Sequence, residues 1–386
     1  MNIGIIGLGS RSINYVTKLQ DPKYISHRIT AVCDSDEVRL KNYCDHFFKD
    51  LETVPKAFTD YNEMLKSGLV DAVIICTPDF AHREIAIAAM DAHLHILLEK
   101  PIEVTPSRVL DIYNRGKDYN KTLIMSFELR FAPLYQKVHD IVNSGRLGDI
   151  VTVQACERLG TWHASSFLRR WHRFEKNSGG FMNTKCCHDM DILRFIIGSE
   201  VESVVAFGDR RVFIPKEDAP NTCRDCPHEA ECIYKFDYTN YETPTYFSCV
   251  KNLCPYNSGS ELVDNEMMLL KYKNGVMAHF ELCLFSGKAT RQLVISGTKS
   301  ELRADLEKEL IWVTPLDGET EEIKACEGAD GHGGGDELLL ADFIDSIEKG
   351  INRNNVYDGA IATCTALAGE ISMKEHRIVS MSEMNL

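Results

Sequence analysis

An apolar stretch followed at once by a glycine-rich turn is the first feature of the sequence. Ile3 to Ile6 predict a strand, Gly7 and Gly9 predict a tight turn, and a helix is expected from about Ser10. A helix that begins directly after such a turn exposes free backbone amides, which bind a pyrophosphate. Gly7 makes the turn in this pattern, and Gly9 lets the backbone approach the phosphate. The stretch therefore predicts one half of a dinucleotide-binding fold.

The next residues extend this pattern and bear on the choice of dinucleotide. Ser12 replaces the third glycine of the fingerprint with another small residue, and Arg11 lies beside it at the helix start. The second predicted strand, Arg28 to Cys33, ends in Asp34, 22 residues after Ser12. A carboxylate there accepts hydrogen bonds from a ribose 2'-hydroxyl and repels a 2'-phosphate, which favours NAD over NADP. The alternative is an ordinary glycine turn in a parallel sheet that holds no nucleotide.

The composition indicates a globular chain of two domains. It has 386 residues, 44% hydrophobic and 26% charged, with no sign of disorder. A net charge of -14 argues against nucleic acid or an anionic membrane as the main partner, because both select for basic patches. No apolar run approaches the roughly 20 residues of a membrane helix, and no charged leader precedes the first strand. We therefore expect a cytoplasmic protein whose 14 cysteines are free thiols, apart from one cluster of candidate metal ligands.

Short apolar strands alternate with amphipathic helices through the first third of the chain. The predicted strands after Asp34 are Ala72 to Cys76, Ile96 to Leu98 and Leu123 to Met125, and the predicted helices are Phe80 to Ala92 and Pro106 to Tyr119. This alternation indicates an α/β fold with right-handed crossovers and a doubly wound parallel sheet, the Rossmann architecture. The pattern changes near residue 127, so we place an NAD-binding domain at residues 1–127.

The remainder, residues 128–386, is predicted to be an α+β domain for substrate binding and oligomerisation. Its predicted strands are Val151 to Cys156, Val201 to Phe207, Glu266 to Tyr272, Val276 to Leu284 and Gln292 to Ser296, and its predicted helices are Leu134 to Ser144, His188 to Ile197, Glu337 to Lys349 and Asp358 to Lys374. These suggest an open, mainly antiparallel sheet with a hairpin turn at Asn274-Gly275. Two long loops, at residues 160–180 and in a Cys-rich insertion at about 215–260, are expected to be functional.

Short motifs follow the predicted strands of the first domain in a fixed order. They are Thr77-Pro78 at a strand end, His82 soon after it, and Glu99-Lys100-Pro101. Their order and spacing resemble the Gfo/Idh/MocA oxidoreductases, which include glucose-fructose oxidoreductase and inositol dehydrogenase. The resemblance continues through Arg130-Phe131-Ala132-Pro133 and Gly179-Gly180, and so covers nearly the whole chain. Together with the glycine turn it gives the expected cofactor contacts as Gly7, Gly9, Ser10, Arg11, Ser12, Asp34, Thr77, Pro78, His82, Glu99 and Lys100.

The resemblance also implies which residues carry the chemistry. It places Lys100 beside the nicotinamide ring and the reacting carbon, where an ammonium stabilises a developing alkoxide. A surface lysine paired with Glu99 is the alternative. His188 is implied as the proton acceptor, with Asp191 as a helper, because an imidazole that titrates near neutrality suits that role.

One position departs from the commonest family pattern. The family has an acidic residue four positions before this histidine, whereas this chain has Thr184. A helix from about Thr184 would project Thr184, Lys185, His188 and Asp191 from one face. Lys185 is therefore a further catalytic candidate that binds a substrate hydroxyl or carboxylate, and a structural lysine is the alternative.

The loop at residues 160–180 is rich in rings and guanidinium groups, which stack on sugars and bind carboxylates, phosphates or vicinal hydroxyls. A basic loop packed on acidic neighbours or on a second subunit is the alternative. The glycine-rich residues 331–335 either bring His332 into the cleft or precede a helix that has Asp336 as its N-cap. The expected substrate contacts are Arg158, Trp162, His163, Arg170, Trp171, Thr184 and His332.

Five cysteines fall within 32 residues of the insertion. Tetrahedral zinc needs four soft ligands, and closely spaced cysteine pairs are their usual source. We expect Cys223, Cys226, Cys232 and Cys254 to bind a structural zinc ion, with Cys249 as the spare. An iron-sulfur cluster and free thiols are the alternatives, because only one close Cys-x2-Cys pair is present.

These features predict an NAD-dependent oxidoreductase that transfers a hydride between nicotinamide and a secondary hydroxyl of a sugar, sugar acid or cyclitol. Two alternatives remain. One is a redox-neutral NAD-dependent glycosidase that oxidises, eliminates and re-reduces, and the other is a non-catalytic NAD-bound sensor. The outer face of the open sheet suits subunit pairing, so a homodimer or homotetramer is expected.

Overall fold

The computed structural model describes residues 1–238, 252–325 and 333–386. No helix in these three ranges has the length and apolar character to cross a membrane. The strands are β1 (Asn2–Ile6), β2 (Arg28–Cys33), β3 (Lys56–Phe58), β4 (Ala72–Ile75), β5 (His95–Leu98), β6 (Leu123–Met125), β7 (Ile150–Gly160), β8 (Val201–Asp209), β9 (Asn265–Tyr272), β10 (Met277–Ser286), β11 (Thr290–Gly297), β12 (Ser300–Asp305), β13 (Leu310–Pro315), β14 (Glu321–Lys324) and β15 (Val379–Ser380).

The described residues also form α-helices. They are α1 (Ser10–Leu19), α2 (Glu37–Phe47), α3 (Tyr61–Lys66), α4 (His82–Asp91), α5 (Pro106–Gly116), α6 (Pro133–Asn143), α7 (Thr161–Arg169), α8 (Glu175–Ser178), α9 (Phe181–Ile197), α10 (Gly335–Glu348) and α11 (Val356–Glu375).

The first sheet confirms the predicted Rossmann architecture. Its six strands are parallel and lie in the order β3-β2-β1-β4-β5-β6. Strands β4 and β6 are buried along their whole length, as continuous apolar strands are when helices cover both faces of a sheet. The strand order reverses between β1 and β4, so their carboxyl ends form the crevice where such sheets bind ligands.

The second sheet confirms the predicted open, mainly antiparallel arrangement. Nine strands lie in the order β14-β13-β12-β11-β7-β10-β9-β8-β15, and the pair β7 and β10 is parallel. The predicted hairpin joins β9 to β10, and its Gly275 has φ +90°, a backbone conformation that favours glycine. Helices α9 and α11 pack against each other and fill the core between the sheets.

The prediction of a long loop at residues 160–180 is wrong. The segment forms α7, a 3-10 turn at Trp171–Arg173 and α8. Helix α9 likewise begins at Phe181, before the predicted start near Thr184. Both helices are buried on nearly all sides, so their sequences lack the polar face that gives an amphipathic period.

Helix α10 returns the chain to the first sheet. Its Leu339, Leu340 and Phe343 pack in one buried cluster with Ile3 and Tyr15. The helix begins at Gly335 with Gly334 as its N-cap, so the predicted capping role of Asp336 is wrong. The Asp336 carboxylate accepts a hydrogen bond from Asn14 at 3.0 Å and pairs with Arg11 at 2.7 Å instead.

Candidate active site

A cavity of about 630 Å³ opens at the carboxyl ends of β1 and β4, and α7 and α9 form its opposite wall. It brings together residues that are far apart in the sequence. The predicted site residues that line it are Gly7, Gly9, Ser10, Arg11, Asp34, Thr77, Pro78, Glu99, Lys100, His163, Arg170, Trp171, Thr184, Lys185 and His188. His332 lies outside the described residues.

The glycine turn at one end of the cavity fits a dinucleotide. Gly7 has φ +87°, and a Cβ there would lie 2.6 Å from the Thr77 backbone nitrogen, so no larger residue fits. Gly9 is the N-cap of α1 and no side chain caps this helix, which leaves its first amides facing the cavity wall. Free amides at a helix start are the group that binds a pyrophosphate.

Asp34 lies at the same end and is engaged by protein groups. Its Oδ2 accepts a hydrogen bond from the Leu8 backbone N–H at 2.9 Å, and its Oδ1 accepts one from Asp36. The Arg39 guanidinium, 3.0 Å from Oδ1, also lines the cavity. Both a carboxylate and a guanidinium therefore lie where the ribose of a bound dinucleotide is expected.

Ser12 and His82 do not line the cavity, and their role as direct cofactor contacts stays a prediction. Ser12 Oγ donates to the Gly9 carbonyl at 2.7 Å and bonds Tyr43, which fixes the turn. The buried His82 ring lies 2.8 Å from the Pro101 carbonyl and 3.1 Å from the Thr77 carbonyl. Burial lowers the pKa of its imidazole, although the two carbonyl contacts oppose this effect, and the ring lies between two loops of the wall.

Lys100 lies at the other end of the cavity and donates from Nζ to the Thr184 carbonyl at 2.9 Å. Burial lowers the pKa of its ammonium, but nearby acidic groups, among them Glu128 and Asp79, more than offset this effect. The net result is a pKa above the usual range, so Lys100 is a cation at neutral pH. It can stabilise negative charge on a reacting oxygen and is not a proton acceptor.

His188 faces a carboxylate that the sequence did not single out. Glu128 is 1% exposed, lines the cavity and lies 3.5 Å from His188 Nε2 through its Oε1. The same carboxylate lies 3.6 Å from an Arg11 nitrogen. The signal available in the sequence was an acidic residue two positions before the Arg130-Phe131-Ala132-Pro133 motif.

A second missed carboxylate lies beside the position where the family pattern has an acid. Thr184 Oγ1 donates to Asp79 Oδ2 at 2.7 Å, and both residues are buried and line the cavity. Burial raises the pKa of Asp79 well above its usual range, although the bond from Thr184 and the charge of Lys100 oppose this. An acid from the loop after β4 thus lies beside the position where the family pattern has an acid on α9.

Lys185 and Asp191 are both held by oppositely charged groups. Lys185 Nζ pairs with Glu157 at 3.0 Å, and Glu157 also pairs with the buried Arg291. Asp191 lies one helical turn beyond His188 and outside the cavity wall, where Arg130 donates to both of its oxygens at 2.6 and 2.5 Å. Its carboxylate faces Arg130 and not the cleft, and the role of Asp191 as a catalytic helper stays a prediction.

The wall formed by α7 and the turn after it is aromatic and basic. His163, Arg170 and Trp171 line the cavity as predicted, and Trp171 stacks on His172 with ring centroids 3.6 Å apart. Arg158 and Trp162 do not line it, and their role as substrate contacts stays a prediction. Arg158 pairs across strands with Glu281 at 2.8 Å, and Trp162 is 48% exposed on the outer side of α7.

The four predicted metal ligands line a second cavity of about 360 Å³. Among the described residues no three His, Cys, Asp or Glu side chains are close enough together to hold a metal ion, and Cys249 lies outside those residues. The zinc site therefore stays a prediction. The buried Arg169 donates to Cys223 Sγ at 3.4 Å and to the Leu253 carbonyl, which links this cavity to α7.

Two family models match the chain. The Oxidoreductase family, NAD-binding Rossmann fold, matches residues 1–127, and the Oxidoreductase family, C-terminal alpha/beta domain, matches residues 140–381. The chain belongs to the Gfo/Idh/MocA oxidoreductase family. This confirms the resemblance carried by the short motifs, and with it the assignment of the chain as an enzyme of this oxidoreductase family.

Similar proteins extend over the whole chain. The Bacillus subtilis protein named oxidoreductase YteT is 24% identical over 99% of this chain and 98% of its own length. The myo-inositol 2-dehydrogenase of Thermotoga maritima is 30% identical over 56% of this chain and 60% of its own length. The solved structure of levoglucosan dehydrogenase with NADH and L-sorbose has a TM-score of 0.78 at 17% identity and covers 99% of this chain and 98% of its own. This last likeness shows the fold.

Proposed function

We propose that the protein is an NAD-dependent dehydrogenase that oxidises a secondary hydroxyl of a sugar, sugar acid or cyclitol. The observation that carries this proposal is the convergence of Lys100, His188 and Glu128 on one cavity that also contains the glycine turn. A relative named myo-inositol 2-dehydrogenase supports the substrate class.

The residues at the first end of the cavity would hold the dinucleotide. Gly7 and Gly9 let the backbone approach the pyrophosphate, and Asp34 faces the ribose. When bound, NAD⁺ accepts the hydride that leaves the substrate carbon. Because Asp34 has the charge that repels a 2'-phosphate, we propose NAD over NADP. A kcat/KM for NADP that equals or exceeds the value for NAD would contradict this preference.

The residues at the second end would handle the hydroxyl proton. The Lys100 ammonium stabilises the negative charge that develops on the substrate oxygen as its carbon is oxidised. His188 accepts the hydroxyl proton at an imidazole nitrogen and becomes a cation. Glu128, 3.5 Å away, stabilises that cation and holds the ring against the cavity wall.

The test is turnover of a panel of sugars, sugar acids, polyols and glycosides with NAD. Lys100→Ala and His188→Asn should each lower kcat by roughly 10²- to 10⁴-fold and leave NAD affinity nearly unchanged. Lys49→Ala removes an exposed lysine and should leave kcat and NAD affinity at the values of the parent protein. Aglycone release without net NADH would favour the redox-neutral glycosidase. Bound NAD without turnover of any compound would favour the sensor.

We also propose that the protein pairs with a second copy of itself through the outer face of the second sheet. Phe207, Met267, Leu269 and Met277 are each more than half exposed on neighbouring strands β8, β9 and β10. Phe207 lies directly opposite Met267 in the sheet register. A contiguous apolar patch of this kind marks an association surface, and self-complementary pairing is the commonest form.

A further inference from the structure

The turn between α7 and α8 places two arginines on the cavity wall. We call Arg170 and Arg173 the guanidinium rim. Both residues line the same cavity as Lys100 and His188, on the wall opposite the first sheet. Trp171 and His172 lie between them in sequence, and their stacked rings fix the conformation of this turn.

The rim differs from three other cations of the cavity in its partners. Arg11 pairs with Glu99 and Asp336, Arg39 pairs with Asp34, and Lys185 pairs with Glu157. The Arg170 side chain has no hydrogen bond and no ion pair with any residue of the described ranges, and its Nε is buried without a partner.

Arg173 is only partly satisfied. Its Nη1 donates to the carbonyls of Arg169 and Arg170 at 3.5 and 3.0 Å, and its Nε is also buried without a partner in the described part of the chain. Carbonyl oxygens carry no net charge, so the two rim charges lack a counterion within the described residues. A charge in a low-dielectric wall is costly unless an anion offsets it.

The two imidazoles near the rim, His163 and His172, add no further positive charge to it. Burial lowers the pKa of His163 well below its usual range, and the nearby Lys185, Arg170 and Lys100 lower it further. Burial and Arg170 have the same effect on the pKa of His172. Both rings are therefore neutral at pH 7 and act as hydrogen-bonding groups for hydroxyls.

We propose that the guanidinium rim binds an anionic substituent of the substrate, a carboxylate or a phosphate ester, so that the substrate is an acidic sugar derivative. This inference rests on the proposed dehydrogenase function and narrows its substrate class. A guanidinium presents donors in a planar fork that matches both kinds of anion. The rim would hold the anionic end while Lys100 and His188 act on a hydroxyl of the same molecule.

The experiment uses matched compounds that differ at one carbon: D-glucose, D-glucuronate and D-glucose 6-phosphate, with the corresponding galactose and mannose sets. Binding to the protein with NADH present is measured by titration calorimetry, and turnover is measured with NAD. The variants are Arg170→Gln, Arg170→Lys and, as a charge-matched control, Arg303→Gln. Arg303 is exposed on β12 and pairs with Glu301.

We expect at least one acid or phosphate to bind more tightly than its neutral partner. Arg170→Gln should weaken that binding by roughly 10- to 100-fold, with little change for the neutral sugar or for NADH. Arg170→Lys should restore part of the preference, and Arg303→Gln should change none of these values. Arg170 makes no side-chain bond in the described structure, so the variant should keep the melting temperature of the parent.

Three results would overturn the inference: no preference for the anion in any set, equal weakening of acid and neutral sugar by Arg170→Gln, or weakening of NADH alone. The last would assign the rim to the cofactor phosphates. Arg170-dependent binding of an acid without NADH formation would refute the dehydrogenase and leave the rim as an anion site. NADH formation from neutral sugars alone would support the dehydrogenase and refute the rim as an anion site.

Discussion

At the scale of single residues, two carboxylates from loops of the first sheet lie beside Thr184 and His188 of α9. Asp79 follows β4 and bonds Thr184, and Glu128 follows β6 and faces His188. The histidine and the lysine could be found from short motifs, because each lies next to recognisable neighbours in the sequence. Asp79 could not, because 105 residues separate it from Thr184 and only folding brings them together. For Glu128 the one signal was its position two residues before Arg130.

Replacement of Glu128 by glutamine tests its role at His188. The change removes the charge that stabilises a protonated imidazole, so we expect kcat to fall roughly 10- to 100-fold while KM for NAD changes less than twofold. The acid limb of the pH profile should move to lower pH, because the imidazolium loses its carboxylate partner. Steady-state kinetics between pH 5 and 10 measure both effects.

Glu319→Gln is the matched control, since Glu319 is exposed and distant from the cavity wall. Glu128→Asp should recover part of the lost kcat. An unchanged pH profile for Glu128→Gln would show that the carboxylate serves only the packing of the wall.

At the scale of elements, the sequence predicted the first sheet well and α7 poorly. Strands β2 and β6 have the predicted bounds, because an apolar strand followed by a turn is a local signal. The short edge strands β3 and β14, and helix α2, were not predicted at all. In α7 the polar side chains are buried against other parts of the chain, so burial did not follow the local pattern.

The turn before α1 gives a test at this scale. Gly7→Ala should lower NAD affinity at least tenfold and reduce the melting temperature, because its Cβ would lie 2.6 Å from the Thr77 backbone nitrogen. Gly145→Ala is the matched control, because Gly145 has φ +76° but open space around it. This substitution should cost about 1–2 kcal/mol of stability and leave NAD affinity unchanged. Equal NAD affinity in both variants would contradict the assignment of the turn to the cofactor.

The start of α9 is held by a buried acid that has a second acid as its neighbour. Glu370 on α11 accepts a hydrogen bond from the Met182 backbone N–H at 2.9 Å. Burial raises its pKa to about 7. Glu266 on β9 is fully buried, neither of its oxygens has a partner in the described residues, and burial and Glu370 raise its pKa well above the usual range.

Glu266→Gln should stabilise the fold, and more so at higher pH. Both acids keep protons in the folded state at pH values where the unfolded chain has lost them, so folding stability falls as pH rises from about 4.5 through 7. Replacement of Glu266 should raise the free energy of unfolding by about 1–3 kcal/mol at pH 8 and by less at pH 5. Urea unfolding measures both values. Glu319→Gln should leave the pH dependence of folding stability unchanged. If Glu266→Gln raised the free energy of unfolding equally at both pH values, the titration argument would be refuted.

At the scale of the whole molecule, the exposed apolar face of the second sheet predicts self-association. Leu269→Glu places a charge at the centre of that face and should convert the oligomer to a monomer at micromolar concentration, as light scattering after gel filtration would show. Leu316→Glu is the control, because Leu316 is more exposed than Leu269 and lies in the turn after β13. A parent protein that is already monomeric would refute the pairing.

The division into residues 1–127 and 128–386 stays a prediction at this scale. A fragment of residues 1–127 lacks α10, which covers one face of the first sheet. We therefore expect that fragment to aggregate, and a fusion that joins it to residues 335–348 through a linker to fold more stably. Circular dichroism during thermal unfolding compares the two.

The return of α10 to the first sheet also sets an order of events during protein synthesis. Ile3 and Tyr15 leave the ribosome long before Leu339 and Phe343, yet all four side chains share one buried cluster. Until residues 335–348 have emerged, the nascent first sheet keeps an apolar face open to solvent. Between these two events the nascent chain therefore exposes a surface that chaperones bind.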